Sequence, residues 1–336
     1  MQNEVIIPNN VGILTSNGFK RIQKILPNDE LIGIENGKLS TFQLKKISSN
    51  WIHGKSYNIY SDYSYSSLSE GNLLFTDKKK VRITEILSDY ANTKVELLYK
   101  GNKIDNYLYT ENDFNDQDII LLGFLKKSCI HYDNNVVTCR LFNIINAGKI
   151  QELITSVVNG DVEINKQNTN YWLRFSLPTK IAKIVDNTKN INIEIEKQIS
   201  KMNVKDLIKF YFGYLIGSSF GQYNSHYTNS SIIFNDEIFD FTIMSIAFIC
   251  SEIPFKINYI PKNNYENFYL EMGIEIENQI PNNYKYFAEY IANHEFKKEK
   301  FYPYIKHIEE CQSNCRSIII ESITNPSLFF GNLLVI

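Results

Sequence analysis

The first quarter of the chain alternates short apolar and polar runs that are broken by turn residues. This period of two predicts β-strands, because successive side chains of a strand point to opposite faces of a sheet. Asn17-Gly18 and Asn36-Gly37 each lie between alternating runs, where residues of positive φ close tight hairpins. We therefore expect an all-β unit with strands in residues 12–18 (GILTSNG), 21–25 (RIQKI), 28–38 (NDELIGIENGK), 42–47 (FQLKKI), 73–75 (LLF) and 80–86 (KVRITEI), and a further candidate strand in residues 95–99.

The pattern changes at residue 117, where a continuous apolar stretch of helix formers predicts a buried helix over residues 117–127 (QDIILLGFLKK). The elements that follow are a strand, a helix and two strands, and the same order returns about 100 residues later. Two copies of one succession suggest a pseudo-twofold domain. The expected elements of the first copy are residues 136–142, 146–158, 161–164 and 171–177, and those of the second are residues 204–221, 230–234, 236–250, 256–260, 267–272 and 284–295.

Residues 317–336 return to β-type alternation, so the chain ends as it began. We expect an α+β protein in which an all-β domain (residues 1–116 and 317–336) is split around an inserted two-repeat α/β domain (residues 117–316). The two repeats of the insert are expected at about residues 117–200 and 201–316.

Composition narrows the class of protein. The 336 residues include 35 Lys+Arg and 37 Asp+Glu, so the formal net charge is −2, and a nucleic-acid ligand would need a local basic surface. No apolar run approaches the roughly 20 residues that span a bilayer, and no secretory signal is apparent at the N-terminus. The cysteines are odd in number and scattered, which favours reduced thiols in an intracellular protein; they are Cys129, Cys139, Cys250, Cys311 and Cys315.

Four separate segments carry a family resemblance. Residues 12–38 resemble the first splicing block of inteins and other Hint domains, and residues 327–335 (SLFFGNLLV) look like the final intein block. Within the insert, residues 121–129 (LLGFLKKSC) and 215–223 (LIGSSFGQY) are similar to the LAGLIDADG helix of homing endonucleases. The chain thus resembles intein-derived LAGLIDADG homing endonucleases, some of which are free-standing proteins that no longer splice.

This resemblance implies a monomer whose two LAGLIDADG-like helices meet at an internal pseudo-twofold axis and which binds double-stranded DNA. Small residues at the axis allow the two helices to touch backbone to backbone. Gly123, Gly217 and Gly221 are the candidates for this role.

In the family, each of these helices ends with a carboxylate that binds Mg²⁺, and the metal ions clamp the oxygens of a phosphodiester. Alignment on the central glycine places Ser128 and Gln222 at these positions, 222−128 = 94 residues apart, and a one-turn shift that centres on Gly213 places Ser218 there instead. Neither register restores a carboxylate, so we expect cleavage to be lost. The alternative is an active endonuclease that holds Mg²⁺ with the relocated acids Asp133 and Asp236.

The residues of self-splicing are also replaced. The resemblance places the acyl-shift nucleophile at Ile6, and the block that polarises the scissile amide keeps Thr76 but has Lys79 in place of histidine. The final His-Asn pair has no counterpart next to Val335 and Ile336. We therefore expect no splicing.

The family reads DNA bases with alternate side chains of its strands. The side chains expected on this face are Arg140, Lys166, Gln167, Arg174, Lys256, Asn258 and Asn264, with the aromatic Tyr171 and Tyr259. Polar residues are also expected on the open face of a sheet that binds no DNA.

Two further clusters have ordinary explanations. His307, Cys311 and Cys315 could place three metal ligands on one helical face with His294 as a fourth, although a pair of partly buried thiols is the favoured interpretation. The basic residues 78–82 (KKKVR) match a nuclear-import pattern, which would place the protein in the nucleus of a eukaryote, but a solvated strand edge is favoured.

We therefore predict a sequence-specific DNA-binding protein derived from a homing endonuclease. The second hypothesis is the active metal-dependent endonuclease, and the third is a decayed element that keeps the fold without activity.

Overall fold

The computed structural model describes residues 2–9, 11–16, 18–35, 38–61, 64–96, 113–142, 147–186, 191–199, 202–217, 230–235, 256–261, 270–276, 303–321, 327–330 and 333–335. Backbone contacts divide the chain into two compact units. Unit 1 consists of residues 1–110, 233–275 and 294–336, and unit 2 of residues 111–232 and 276–293.

The N-terminal part of unit 1 consists mostly of short strands, as the alternating pattern predicted. The elements are β1 (Gln2–Pro8), β2 (Gly12–Thr15), β3 (Gly18–Arg21), a 3-10 turn (Ile22–Lys24), β4 (Glu30–Glu35), β5 (Lys38–Ser61), β6 (Tyr65–Ser69), β7 (Leu73–Phe75), β8 (Lys80–Arg82), the short helix α1 (Ile83–Ile86) and a second 3-10 turn (Tyr90–Asn92).

Unit 2 begins with the predicted buried helix. Its elements are α2 (Asp116–Ser128), β9 (Cys129–Asp133), β10 (Val136–Phe142), α3 (Ala147–Val158), β11 (Val162–Gln167), β12 (Asn170–Ser176), α4 (Thr179–Asp186), α5 (Ile191–Ile199) and α6 (Val204–Gly217). None of the helices in the described ranges is long and apolar enough to cross a membrane.

The remaining strands are β13 (Ser230–Asn235), β14 (Lys256–Pro261), β15 (Leu270–Ile276), β16 (Ile305–Glu321), β17 (Ser327–Phe330) and β18 (Leu333–Val335). Among the described residues, β13, β15 and β14 form a three-stranded sheet in that order.

The large sheet of unit 1 joins the beginning and the end of the chain. Its order is β1-β16-β5-β4-β2-β17-β18-β7-β8, with β3 paired to β2 and β6 paired to β5. Strand β16 lies between β1 and β5, so that Ile318 pairs with both Val5 and Ile47. The core of this unit consists of buried aliphatic and aromatic residues from both ends of the chain, including Ile13, Leu31, Ile59 and Leu328.

Capping explains where the two long helices of unit 2 begin. The Asn115 side chain accepts a hydrogen bond from the Asp118 backbone N–H at 2.8 Å, and the Asp118 carboxylate accepts one from the Asn115 N–H at 3.1 Å. This reciprocal capping box satisfies two backbone donors at the start of α2. The Asn203 side chain accepts in the same way from the Asp206 N–H at 2.8 Å, next to the start of α6.

Three sequence expectations differ from the structure. Residues 22–24 form a 3-10 turn instead of a strand, which buries both Ile22 and Ile25. Residues 83–86 form α1, where Ile83 and Ile86 are buried one turn apart. The final β segment was expected to begin at residue 317, but strand β16 begins earlier, at Ile305, and continues to Glu321.

The strands β1, β6 and β9 and the helices α4 and α5 were not predicted. The helices expected at residues 236–250 and 284–295 lie outside the described residues.

Candidate nucleic-acid interface

Helices α2 and α6 cross in backbone contact at two glycines. A Cβ atom added to Gly123 would lie 1.9 Å from the carbonyl oxygen of Phe210, and one added to Gly213 would lie 1.8 Å from the carbonyl oxygen of Ile120. At Gly217, one turn later, an added Cβ would lie 2.7 Å from the Phe124 carbonyl oxygen. Real side chains do not approach backbone oxygens so closely, so this crossing requires glycine at Gly123 and Gly213.

The contacts of the two central glycines are reciprocal. Each glycine meets the carbonyl oxygen that lies three residues before the other, which is the signature of a local twofold relation. The spacing is 213−123 = 90 residues, in contrast to the 94 residues of the alignment that paired Gly123 with Gly217. This register makes Ser218 the counterpart of Ser128; Ser218, Gly221 and Gln222 lie outside the described residues.

The C-terminal residue of α2 does not fit a magnesium ligand. Ser128 is 2% exposed, and its hydroxyl donates a hydrogen bond to the Phe124 carbonyl oxygen at 2.7 Å. Mg²⁺ prefers carboxylate oxygens and retains several waters, neither of which this buried hydroxyl offers. Within the described residues, no group of three or more His, Cys, Asp or Glu side chains could hold a metal ion.

The relocated acid Asp133 lies away from the end of α2. It is the last residue of β9, exposed at the hairpin to β10, where its carboxylate accepts a hydrogen bond from the Asn134 side chain at 3.1 Å. Four residues of strand, about 13 Å, separate it from Cys129 at the helix terminus. Asp236, the other alternative ligand, lies outside the described residues.

The described helices cover one face of the four-stranded sheet of unit 2, and we call the other face, which none of them covers, the open face. Its order is β11-β12-β10-β9, and all three pairings are antiparallel. Helices α2 and α3 pack on the face that carries Val137, Leu141, Leu173 and Phe175, where the rings of Phe124 and Phe175 lie 6.3 Å apart. The alternate residues of each strand therefore point to the opposite, open face.

The open face presents cationic, amide and aromatic side chains from adjacent strands. Arg140 pairs with Trp172 across β10 and β12, and its guanidinium carbon lies 5.7 Å from the centre of the indole ring. Trp172 pairs in turn with Asn165 of β11. The same face carries Thr138, Gln167, Asn170, Arg174 and Ser176, and its acidic members are Glu163, opposite Arg174, and Asp133.

The structure thus places three of the expected DNA-binding residues, Arg140, Gln167 and Arg174, on one face. Lys166 lies on the opposite, covered face, because it is two residues from Ile164 in β11 and pairs with Tyr171. Its ammonium nitrogen lies 5.4 Å from the centre of the Tyr171 ring. Trp172, which follows Tyr171, is an aromatic residue of the open face. Strict period-two counting from the buried Leu173 would have identified it.

The expected residues of the second repeat are only partly described. Lys256 and Asn258 lie two residues apart in β14, which places them on the same face of that strand. Asn264 lies outside the described residues.

The positions that correspond to splicing residues lie in ordinary strands and turns of unit 1. Ile6 pairs with Ser317 within β1, so it is an ordinary strand position. The Thr76 hydroxyl donates to the Lys79 carbonyl oxygen at 2.6 Å and accepts from the Lys79 backbone N–H at 3.1 Å, which closes a turn between β7 and β8. The Lys79 side chain is exposed, and β8 is the last strand in the order of the large sheet.

His307, Cys311 and Cys315 do not lie on one helical face, because all three lie in β16. The favoured interpretation agrees with the structure, in which the Cys311 thiol is partly exposed and the Cys315 thiol is buried. Consecutive members of this group are four residues apart, about 13 Å along a strand, so they cannot bind one ion. The hydroxyl of Ser56 lies 3.1 Å from the Cys311 sulfur. Burial raises the pKa of Cys311 and of Cys315, as for neutral thiols in a partly apolar environment.

Comparison with known proteins gives a partial structural similarity. No family model matches the chain, and no curated protein matches it. The structure of I-DmoI in complex with DNA and Mn is similar with a TM-score of 0.34 and 18% identity, over 54% of this chain and 99% of that one. Mesophilic variants of the homing endonuclease I-DmoI give a TM-score of 0.35 and 16% identity, over 53% of this chain and 97% of theirs.

Proposed function

We propose that this protein binds specific sequences of double-stranded DNA through the open face of the sheet β11-β12-β10-β9, and that it does not cleave them. The observation that supports this function is a row of side chains on three adjacent strands, of types that contact DNA bases. This row consists of Arg140, Trp172, Asn165 and Arg174. In a DNA major groove, arginine pairs with guanine, and asparagine or glutamine with adenine.

The dimensions of this row suit a groove. Neighbouring strands lie about 4.8 Å apart, and alternate residues of one strand about 6.7 Å apart. Three strands therefore present their side chains over a width close to the roughly 12 Å of the major groove. The acidic Glu163 and Asp133 would be repelled by phosphates but can accept a hydrogen bond from cytosine, so they favour selection among sequences over general affinity.

The loss of cleavage follows from the end of α2. Ser128 provides a buried hydroxyl that is already hydrogen bonded to its own helix, where the LAGLIDADG resemblance requires a carboxylate. With no negative charge at this position, a divalent cation would gain little over its hydration shell. The alternative endonuclease with Asp133 and Asp236 as ligands has no support from the described position of Asp133.

The twofold relation between α2 and α6 suggests two half-sites. Under this proposal the strands that follow α6 read the second half of the target with Lys256 and Asn258, and a monomer covers an unequal pair of half-sites. We further propose that unit 1, which joins residues 12–38 and 327–335 in one sheet, derives from a Hint domain that no longer splices.

The test is selection from a pool of random duplexes at low salt, with and without Mg²⁺, followed by sequencing of the bound and of the cut molecules. We expect an enriched motif of two halves and no cuts. The double variant Arg140→Ala/Arg174→Ala should lose this enrichment, whereas Lys183→Ala, an exposed cation of α4, should keep it.

Failure of the wild-type chain to enrich any duplex would contradict DNA binding. Mg²⁺-dependent cuts that disappear in Asp133→Asn would instead support the endonuclease.

A further inference from the structure

Cys129 and Cys139 face each other across the first two strands of the unit 2 sheet. They are register partners in the antiparallel pair of β9 and β10, at a point where the register shifts between Thr138 and Cys139. The Cys129 sulfur lies 3.5 Å from the His131 carbonyl oxygen, and the two thiols lie within hydrogen-bonding reach of each other. Cys139 is fully buried and Cys129 is partly exposed, so solvent reaches only one of the two residues.

The backbone at this pair is compatible with a covalent bond between the sulfur atoms. Antiparallel partners have Cα atoms about 4.5–5.5 Å apart. Disulfides span about 4.4–6.8 Å between Cα atoms, a range that contains this spacing. Side chains of directly opposite residues also point to the same face of a sheet, which brings both thiols to the covered side.

The two cysteines are chemically unequal. The hydrogen bond from Cys139 lowers the pKa of Cys129, and burial raises the pKa of Cys139 well above its usual range. A thiolate is the reactive form of cysteine. Cys129 therefore has the character of an attacking thiol, and Cys139 that of a protonated partner held within reach.

We propose that Cys129 and Cys139 form a peroxide-sensitive pair that closes to an intramolecular disulfide. The oxidant is a hydroperoxide. The Cys129 thiolate attacks one peroxide oxygen and breaks the O–O bond, which gives a sulfenic acid at Cys129 and, after the leaving oxygen takes up a proton, an alcohol or water. The Cys139 sulfur then attacks the Cys129 sulfur, the S–O bond breaks, and the hydroxide leaves with the thiol proton of Cys139 as water.

The disulfide would fix the end of α2 to β10. Cys129 caps the C-terminus of α2, where its backbone N–H donates to the Leu125 carbonyl oxygen. Cys139 lies on the covered face of β10, directly before Arg140 on the open face. The pair therefore couples the helix that crosses α6 to the central strand of the sheet.

The other described cysteines lack this arrangement. The Cys311 sulfur contacts the Ser56 hydroxyl at 3.1 Å, and Cys315 contacts the Ser313 hydroxyl at 3.6 Å. These two cysteines lie four residues apart in one strand, about 13 Å, which is too far for a disulfide. Cys311 is therefore a matched control, being partly exposed but facing a hydroxyl.

The test treats the reduced full-length protein with one equivalent of hydrogen peroxide, blocks the remaining thiols by alkylation and identifies peptides by mass spectrometry. We expect a crosslinked peptide pair that contains Cys129 and Cys139, lighter by two hydrogen atoms than the sum of its parts, while Cys311 and Cys315 are alkylated. A reductant should reverse the crosslink. In Cys139→Ser, Cys129 should accumulate as the sulfenic acid that a cyclic dione traps, and Cys311→Ser should behave as the wild type.

Alkylation of both Cys129 and Cys139 in the peroxide-treated wild type would overturn the proposal. So would further oxidation of Cys129 while Cys139 remains a free thiol. Because both measurements use the wild-type chain, they do not depend on whether either variant folds.

Discussion

Gly123 of α2 and Gly213 of α6 each lie against the backbone carbonyl oxygen that precedes the other by three residues. This reciprocal contact defines a local twofold relation between the helices with a spacing of 90 residues. The Cα hydrogens of glycines at such a crossing can contact carbonyl oxygens of the facing helix. Any side chain at either position would push the helices apart.

Replacement of Gly123 should therefore be severe. In Gly123→Ala, the added methyl group would lie 1.9 Å from the Phe210 carbonyl oxygen, and we expect the free energy of unfolding to fall by about 3 kcal/mol, the upper end of ordinary overpacking. The matched control is Gly148→Ala in α3, where an added Cβ meets nothing within 4 Å. That variant should be unchanged or more stable by up to about 0.5–1 kcal/mol, because alanine favours the helix. Urea unfolding measures both, and equal effects would contradict the crossing.

Arg174 and Lys166 should differ in their effect on DNA affinity, although both were expected in the interface. Arg174→Ala removes a cation from the open face and should weaken binding to the selected motif by about 1–3 kcal/mol, with a smaller dependence of affinity on salt. Lys166→Ala removes a cation from the opposite face, so its affinity should stay close to that of the wild type. Fluorescence anisotropy titrations at several salt concentrations test this, and a larger loss for Lys166→Ala would reverse the assignment of the faces.

Lys209 links the two crossing helices through ion pairs. Its ammonium nitrogen lies 2.7 Å from Asp116 of α2 and 3.1 Å from Asp206 of α6. Burial by itself lowers the pKa of Lys209, but hydrogen bonds to both aspartates outweigh it, and the pKa is raised. A raised pKa in the folded state stabilises the protein at pH values below the unfolded pKa of about 10.4, and this stabilisation is lost as the pH rises through the folded pKa.

We expect Lys209→Met to lower the free energy of unfolding by about 0.5–1 kcal/mol at neutral pH. The difference in free energy of unfolding between Lys209→Met and the wild type should shrink as the pH rises above about 10.5. Lys183→Met on α4 is the control, since Lys183 is exposed and should show no such dependence. A deficit of Lys209→Met that grew at high pH would contradict the direction of the pKa shift.

Thr76 should act in a turn and not in splicing. Its hydroxyl both donates to and accepts from the backbone of Lys79, so Thr76→Ala should cost about 0.5–1.5 kcal/mol of stability, while Thr76→Ser, which keeps the hydroxyl, should retain most of it. Thermal unfolding of the two variants separates the hydroxyl from the methyl group. Equal losses in both would show that the methyl group, and not the turn, carries the effect.

Local pattern predicted much of the chain. The extents of β7, α2, β10 and β12 agree closely with the expected segments, because alternation of period two and a continuous apolar run are properties of adjacent residues. It predicted strands at residues 22–24 and 83–86, where the structure has a 3-10 turn and a short helix. In both places the buried isoleucines lie three residues apart, which is the spacing of a helical turn and not of one face of a strand. In β16, the four-residue spacing of His307, Cys311 and Cys315 is compatible with both a helix and one face of a strand, and pairing with β1 and β5 selects the strand.

The sequence by itself determined that two glycine-containing apolar helices exist and that no carboxylate follows either of them at the expected place. Only the tertiary structure decided that Gly213 is the partner of Gly123, because α6 contains both Gly213 and Gly217 and only the backbone contact between the helices distinguishes them. The tertiary structure also decided that Trp172, and not Lys166, lies on the same face as Arg140, and that Cys129 pairs with Cys139. The reason is that the register between strands is set by hydrogen bonds between residues distant in the chain.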